Sequence, residues 1–202
     1  MPDMTNNPRR HTVEAQRLKT IDDLLDCDDE RLELIGGAIV RRPMARFEHR
    51  RAQSGLAFQV QSGQRPGDPD GWLILTEVSV RYSAHDCPCH DLAGWRRARL
   101  GEWPTGIITL PPDWVCEVLS PGHERKDLFH HLLLLPRAGV GHYWVLAPED
   151  RSLIAYALDQ GGYRIMCSAE CRDDDHCPKV RIPPFEEFAI ELAELFGRRP
   201  AH

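Results

Sequence analysis

The chain predicts an α/β fold: a mixed central sheet flanked by helices, with additional antiparallel strands. Three observations carry this. Trp114 to Leu119 is apolar at nearly every position and ends at Ser120-Pro121, as a buried strand does, and a helical pattern follows at once. Trp72 to Tyr82 alternates as a second strong strand. Tyr143 to Leu146, Leu153 to Leu158 and Tyr163 to Met166 then read as a meander, broken by Pro148-Glu149-Asp150 and by Gly161-Gly162.

The remaining elements follow in chain order. Residues 1–19 read as a loose tail, 20–197 as one domain and 198–202 as a C-terminal tail. Thr20 caps a short helix over Ile21 to Leu25. Arg31 to Ile35 and Ala38 to Arg42 are strands joined by Gly36-Gly37, a two-residue hairpin signal. In the first strand Leu32 and Leu34 face one way and Glu33 the other. Ala45 to Gln61 reads as a helix bearing Leu56, Phe58 and Val60, and residues 61–71 as a loop. In the Trp72 strand, alternation puts Glu77 with Leu73 and Leu75, and Val78 and Val80 with Ile74. Ser83 to His90 and Leu100 to Pro112 are connections. Glu124 to Leu135 is a helix whose Leu128, His131, Leu132 and Leu135 share one face, so His131 looks inward. Pro183-Pro184 leads into a closing helix, Phe185 to Leu195, with Phe188, Leu192, Leu195 and Phe196 on its apolar side.

Composition narrows the function classes. With 28% charged and 42% hydrophobic residues the chain is an ordinary globular protein. No apolar run approaches the roughly 20 residues needed to cross a bilayer. Met1 to Arg10 is polar, so no membrane partner and a cytoplasmic location are expected. The net charge of -6 argues against a broad nucleic-acid surface, yet Arg41, Arg42, Arg46, Arg50 and Arg51 cluster in one stretch and Arg96, Arg97 and Arg99 in another. The same arginines on solvated faces would look identical. Seven cysteines, an odd number, are not read as a disulfide framework. Cys87, Cys89 and His90 lie close in sequence, as do Cys167, Cys171, His176 and Cys177. Their spacing is not the paired C-x-x-C pattern, so structural zinc is not expected.

Glu117 breaks the apolar strand. A carboxylate there needs a cation, a metal or water to meet it, because an unpaired buried charge costs several kcal/mol, roughly. Pro112-Asp113-Trp114-Val115-Cys116-Glu117-Val118-Leu119-Ser120-Pro121 carries this residue. Together with Asp91-Leu92-Ala93-Gly94-Trp95-Arg96-Arg97 and Arg137-Ala138-Gly139-Val140, followed by His142 and Trp144, it resembles the Uma-two family of restriction endonucleases. The resemblance runs from Arg31 to Phe196. It implies the restriction-endonuclease-like, PD-(D/E)xK nuclease fold.

What the resemblance implies for the site is specific. Asp91 and Glu117 match the two metal-binding carboxylates, and His90 stands where the family has proline. Glu33 and Glu77 match further acidic positions, and His49 a family histidine. The wider superfamily has lysine two residues after the glutamate, where this chain has Leu119. The family pattern brings a lysine from the following helix, and His131 occupies that position, as a substitute cation or a general base. Lys126 is a second source of charge. Leu135 stands in place of tyrosine and Ala147 in place of aspartate.

Two functions follow. The first is a Mg²⁺-dependent nuclease, with Mn²⁺ as substitute ion, hydrolysing a phosphodiester, on DNA by analogy; Asp91 and Glu117 hold the ion through oxygen ligands. The second is an impaired family member that retains the fold and acts as a nucleic-acid-binding or interaction protein, as His131 and Leu135 suggest. A homodimer is compatible with either.

Overall fold

The structure, a computed structural model, describes residues 17–197 apart from 66, 102, 121–123 and 174–175, and of 124–127 the helix backbone. Most of the expected tails, the turn at Pro121 and the Lys126 side chain lie outside the described residues. Of the N-terminal tail, Arg17 pairs with Asp23 and Lys19 donates its backbone N–H to the Gly37 carbonyl.

Helix α1 (Ile21–Leu25) opens with a capping box in which Thr20 and Asp23 satisfy each other's backbone N–H groups. Strands β1 (Leu32–Ile35) and β2 (Ala38–Arg41) pair antiparallel through Gly36 and Gly37. Both glycines have positive φ, 55° and 78°, as a tight two-residue hairpin turn demands. Helix α2 spans Phe47–Ser62. Among the described residues, six strands form the central sheet in the order β3-β4-β5-β6-β7-β8: Trp72–Ser79, Cys89–Arg96, Trp114–Val118, His142–Ala147, Ser152–Asp159 and Gly162–Glu170. Only β5 and β6 run parallel, and helix α3 (Glu124–Arg137) makes the crossover between them. The fold is thus α/β with a mixed sheet and antiparallel flanks.

Each face of the sheet buries its own apolar cluster. On one, Leu56 and Val60 of α2 pack with Trp72, Trp114, Cys116 and Trp144 of the sheet and with Phe185 and Leu195 from the C-terminal segment. On the other, Leu135 of α3 packs with Trp95, Val115, Tyr143 and Val145. Consecutive residues of β5 therefore serve opposite layers, which sends Glu117 toward α3 with Val115.

Four expectations need correction. The connection read over Ser83 to His90 ends earlier, because Cys89 and His90 begin β4, an interior strand of the sheet. The alternation expected along β3 fails at Glu77, whose φ is 52°. Leu75 and Val78 consequently pack in one cluster instead of on opposite faces. The closing helix is only α4 (Leu192–Phe196). Before it, Ile190–Glu191 forms β10 and pairs with β9 (Lys179–Val180), so backbone hydrogen bonding claims residues that a helical period had explained. Cys171 and Cys177 form a disulfide between the end of β8 and the approach to β9, although no disulfide framework was expected. A six-residue spacing in a polar loop carries no signal for such a pair.

Candidate active site

Asp91 on β4 and Glu117 on β5 are neighbours across two adjacent strands whose register pairs Leu92 with Cys116. Each carboxylate is held by the other strand's backbone. Val118 N–H donates to Asp91 Oδ2 at 2.8 Å, and Asp91 N–H donates to Glu117 Oε2 at 3.3 Å. Both side chains line a cavity of about 340 Å³ bordered by β1, the segment after β2, α2, α3 and the strand ends.

Opposite Asp91, the β3 backbone leaves the extended conformation at Glu77. With Glu77 in the left-handed region, the β3–β4 ladder pairs Thr76 with Leu92 and Val78 with His90. The Asp91 carbonyl instead accepts a hydrogen bond from Gln53 of α2 at 2.9 Å. A non-glycine residue in this conformation is costly and persists where surrounding contacts hold it. Here Asp91 turns toward α2, where His49 Nε2 lies 3.2 Å from Oδ1. His90 turns the other way, toward Glu117 and α3.

Glu117 sits in a histidine-lined recess. His90 Nδ1 is 2.6 Å from Glu117 Oε1, and His90 Nε2 is 2.8 Å from the Tyr82 hydroxyl. A carboxylate only accepts, so Nδ1 carries the proton and Nε2 accepts from Tyr82. Burial, and then the nearby His131, hold the His90 pKa well below its usual value, so the ring is neutral. His131 of α3 places Nδ1 at 3.6 Å from the same Oε1. Burial, with His130 beside it, lowers the His131 pKa to about 3. The imidazole that stands at the lysine position is therefore not a cation at neutral pH.

Positive charge comes from elsewhere. Arg42 and Arg50 line the cavity and both pair with Glu77, Arg50 at 2.8 Å. Burial alone would raise the Glu77 pKa, but hydrogen bonds from Gln53 and Arg42 and the charges of both arginines outweigh it and hold the carboxyl below its usual range. Glu33 also faces the cavity and accepts a hydrogen bond from Cys89 N–H at 3.1 Å.

All five predicted site residues, Glu33, Glu77, Asp91, Glu117 and His131, thus line one cavity. Arg96 and Arg99 do not join them: Arg96 stacks over Trp72 at 4.1 Å, and Arg99 pairs with Asp113. Sequence reasoning missed Tyr82 and Tyr143, and placed His90 only with Cys87 and Cys89 or as a replacement for the family's proline, not against Glu117. An isolated histidine at a presumed loop end gives no cue that it contacts Glu117.

Two donor clusters lie at the cavity: Glu117 and His131, which line it, with His90 behind them, and His49, Glu77 and Asp91, which all line it. The second is a poor cation site as a unit, because two arginines already neutralise Glu77. Asp91 and Glu117 together suit a hard divalent ion, since carboxylate oxygens accept several partners each and the cavity admits water.

No curated protein matches the chain significantly. A solved structure described as a putative nuclease belonging to DUF820 from Anabaena variabilis has the same fold, with a TM-score of 0.70, 22% identity, and coverage of 88% of this chain and 97% of that one. A family model, Uma2, described as "Putative restriction endonuclease", matches residues 17–170. That span is most of the chain, and it contains β4, β5, α3 and every predicted site residue; the protein belongs to the Uma2 family.

Proposed function

We propose that the protein is a divalent-metal-dependent nuclease that hydrolyses phosphodiesters in DNA, with Mg²⁺ as its ion and Mn²⁺ as a substitute. The observation that carries the reading is the pairing of Asp91 and Glu117 on adjacent strands in one water-accessible cavity walled by Arg42 and Arg50. An ion bound there supplies Lewis-acid polarisation of the phosphate and an activated water. The chain's own residues do the rest. The Val118 N–H and His49 fix Asp91, while His90 and the Asp91 N–H fix Glu117. Arg42 and Arg50 face the incoming phosphate, and Glu77 holds both guanidinium groups in place. Such local charge lets a protein of net charge -6 meet a polyanion at this one point.

The test is cleavage of supercoiled plasmid in Mg²⁺ or Mn²⁺ by wild type, Asp91→Asn and Glu117→Gln, with RNA and single-stranded DNA as comparators. Each substitution is expected to reduce cleavage by about a hundredfold or more, the usual loss when a group stabilising transition-state charge is removed. Full activity in either variant removes that residue from the site.

One observation favours the second reading, an impaired member that binds nucleic acid without cutting it. His131 is buried and neutral, so the side chain at the family's lysine position is not a cation beside Glu117. On that reading the plasmid is retarded on a gel but stays intact in both ions, and Glu117→Gln changes nothing.

A further inference from the structure

Buried polar groups in folded proteins are almost always hydrogen-bonded, so each exception asks for a cause. His131 is such an exception. It is 4% exposed, and neither Nδ1 nor Nε2 has a hydrogen-bond partner among the described residues. Its Nδ1 approaches Glu117 Oε1 to 3.6 Å. Beside the same oxygen stands His90, wholly buried, with Nδ1 at 2.6 Å. One ligand atom from each of the three residues lies within 4.8 Å of the others. The Tyr143 hydroxyl, on the wall of the same cavity, is also buried without a hydrogen-bond partner.

We propose that His90, Glu117 and His131 form a binding site for a divalent transition-metal ion of the Zn²⁺ type, ligated by two imidazole nitrogens and one carboxylate oxygen. The site shares Glu117 with the nuclease reading but does not rest on it.

The donor chemistry selects the class of ion. Imidazole and carboxylate are zinc ligands at about 2.0–2.2 Å, which puts tetrahedral neighbours roughly 3.3 Å apart. The His131–Glu117 separation of 3.6 Å is already close to that, and the His90–Glu117 contact of 2.6 Å has to open by about 0.7 Å. Mg²⁺ prefers oxygen ligands and sheds water reluctantly, so a nitrogen-rich set disfavours it. Ligation through His90 Nδ1 moves that ring's proton to Nε2, which then donates to the Tyr82 oxygen. A metal-bound histidine usually has such an outer partner. Three protein ligands leave a fourth zinc position for water, and Glu117 and His131 line the cavity from which water would come.

The experiment uses the full chain stripped with a chelator. Zn²⁺ is titrated by calorimetry at pH 7.5, and Co²⁺ by visible absorption, for wild type, His131→Leu and Asp91→Asn. Wild type is expected to bind one ion and to give the intense visible bands of a four-coordinate Co²⁺ site without thiolate charge transfer. His131→Leu should weaken Zn²⁺ binding at least tenfold and remove those bands, whereas Asp91→Asn should keep both. Because His131→Leu disturbs a packed helix, the wild type supplies a second measurement. With ¹⁵N-labelled histidine, the ring nitrogens of two residues should shift on adding Zn²⁺. No Zn²⁺ binding, unmoved ring nitrogens, or a folded His131→Leu that binds as wild type does would each overturn the proposal. Loss of binding in Asp91→Asn alone would transfer the ion to the carboxylate pair and overturn it too. Failure of plasmid cleavage in every metal would sink the nuclease reading and leave this one standing.

Discussion

Gly94 lies in β4 where an added Cβ would come within 2.8 Å of Ile74 Cδ1, 3.1 Å of Trp114 and 3.2 Å of Trp72. Two of these neighbours are rings wedged into the larger core cluster, so they cannot swing aside. Gly94→Ala is therefore expected to destabilise the protein by about 1–3 kcal/mol, the usual cost of overpacking a well-filled interior. Urea denaturation would measure it, and a variant within about half a kcal/mol of wild type would contradict so tight a fit between β4 and the two tryptophans. At this scale the sequence was readable where one residue violated its surroundings. Glu117 stood out as a carboxylate in an apolar strand, and His131 as a histidine on a leucine face. His90 violated nothing visible. Its partners, Tyr82 and Glu117, lie 8 and 27 residues away in sequence, a relation that only strand pairing creates.

The recess around Glu117 is assembled by three elements, β4, β5 and α3, and the Tyr82–His90–Glu117 chain of hydrogen bonds ties two of them to the turn after β3. Tyr82→Phe removes the donor to a fully buried His90 nitrogen without changing the ring. An unmet buried group costs about 1–3 kcal/mol, and destabilisation of that size is expected. The His90 ring should also lose its fixed tautomer, detectable in the nitrogen shifts of labelled histidine. A Tyr82→Phe protein with wild-type stability and an unchanged His90 spectrum would show that the chain of bonds does not form. Elements were legible to different degrees for physical reasons. The strand β5 and helix α3 announce themselves by a run that is apolar at every position but Glu117 and by helical spacing. Strand β4 does not, because His90, Asp91 and Gly94 answer to the site and to close packing instead of to alternation. The break in β3 at Glu77 was invisible for a related cause: a left-handed glutamate is set by its contacts with Gln53, Arg42 and Arg50, not by local preference. The apolar residues of 185–195 fit a helical period, yet the pairing of Ile190 with Val180 decided their backbone.

Across the whole molecule, burying neutral histidines in the core makes stability depend on pH. His90 and His131 have folded-state pKa values far below the unfolded value of 6.5, about 3 for His131, because burial disfavours the charged ring. His142 is lowered as well, by burial first and then by Arg96. Between these values the unfolded chain binds protons that the folded chain refuses, so stability rises with pH. The contribution is fully present above pH 6.5 and is lost progressively as pH falls toward the folded values. Each fully buried histidine gives a slope on the order of 1.4 kcal/mol per pH unit once below its unfolded pKa. Carboxylates with lowered pKa, such as Glu77, act in the same direction but only below their own unfolded value of 4.5. The interval from pH 6.5 to 5 therefore isolates the histidines. In metal-free protein, kept so with a chelator, urea midpoints at pH 7.5, 6.5, 5.75 and 5 should be level over the first pair and fall steadily over the rest. His131→Leu should reduce the fall by one histidine's share while leaving its direction unchanged. A midpoint that stayed level from pH 7.5 to 5 would mean that His90 and His131 are charged or solvated in the folded protein. The recess around Glu117 would then be open to water rather than closed by the packing of α3 against the sheet.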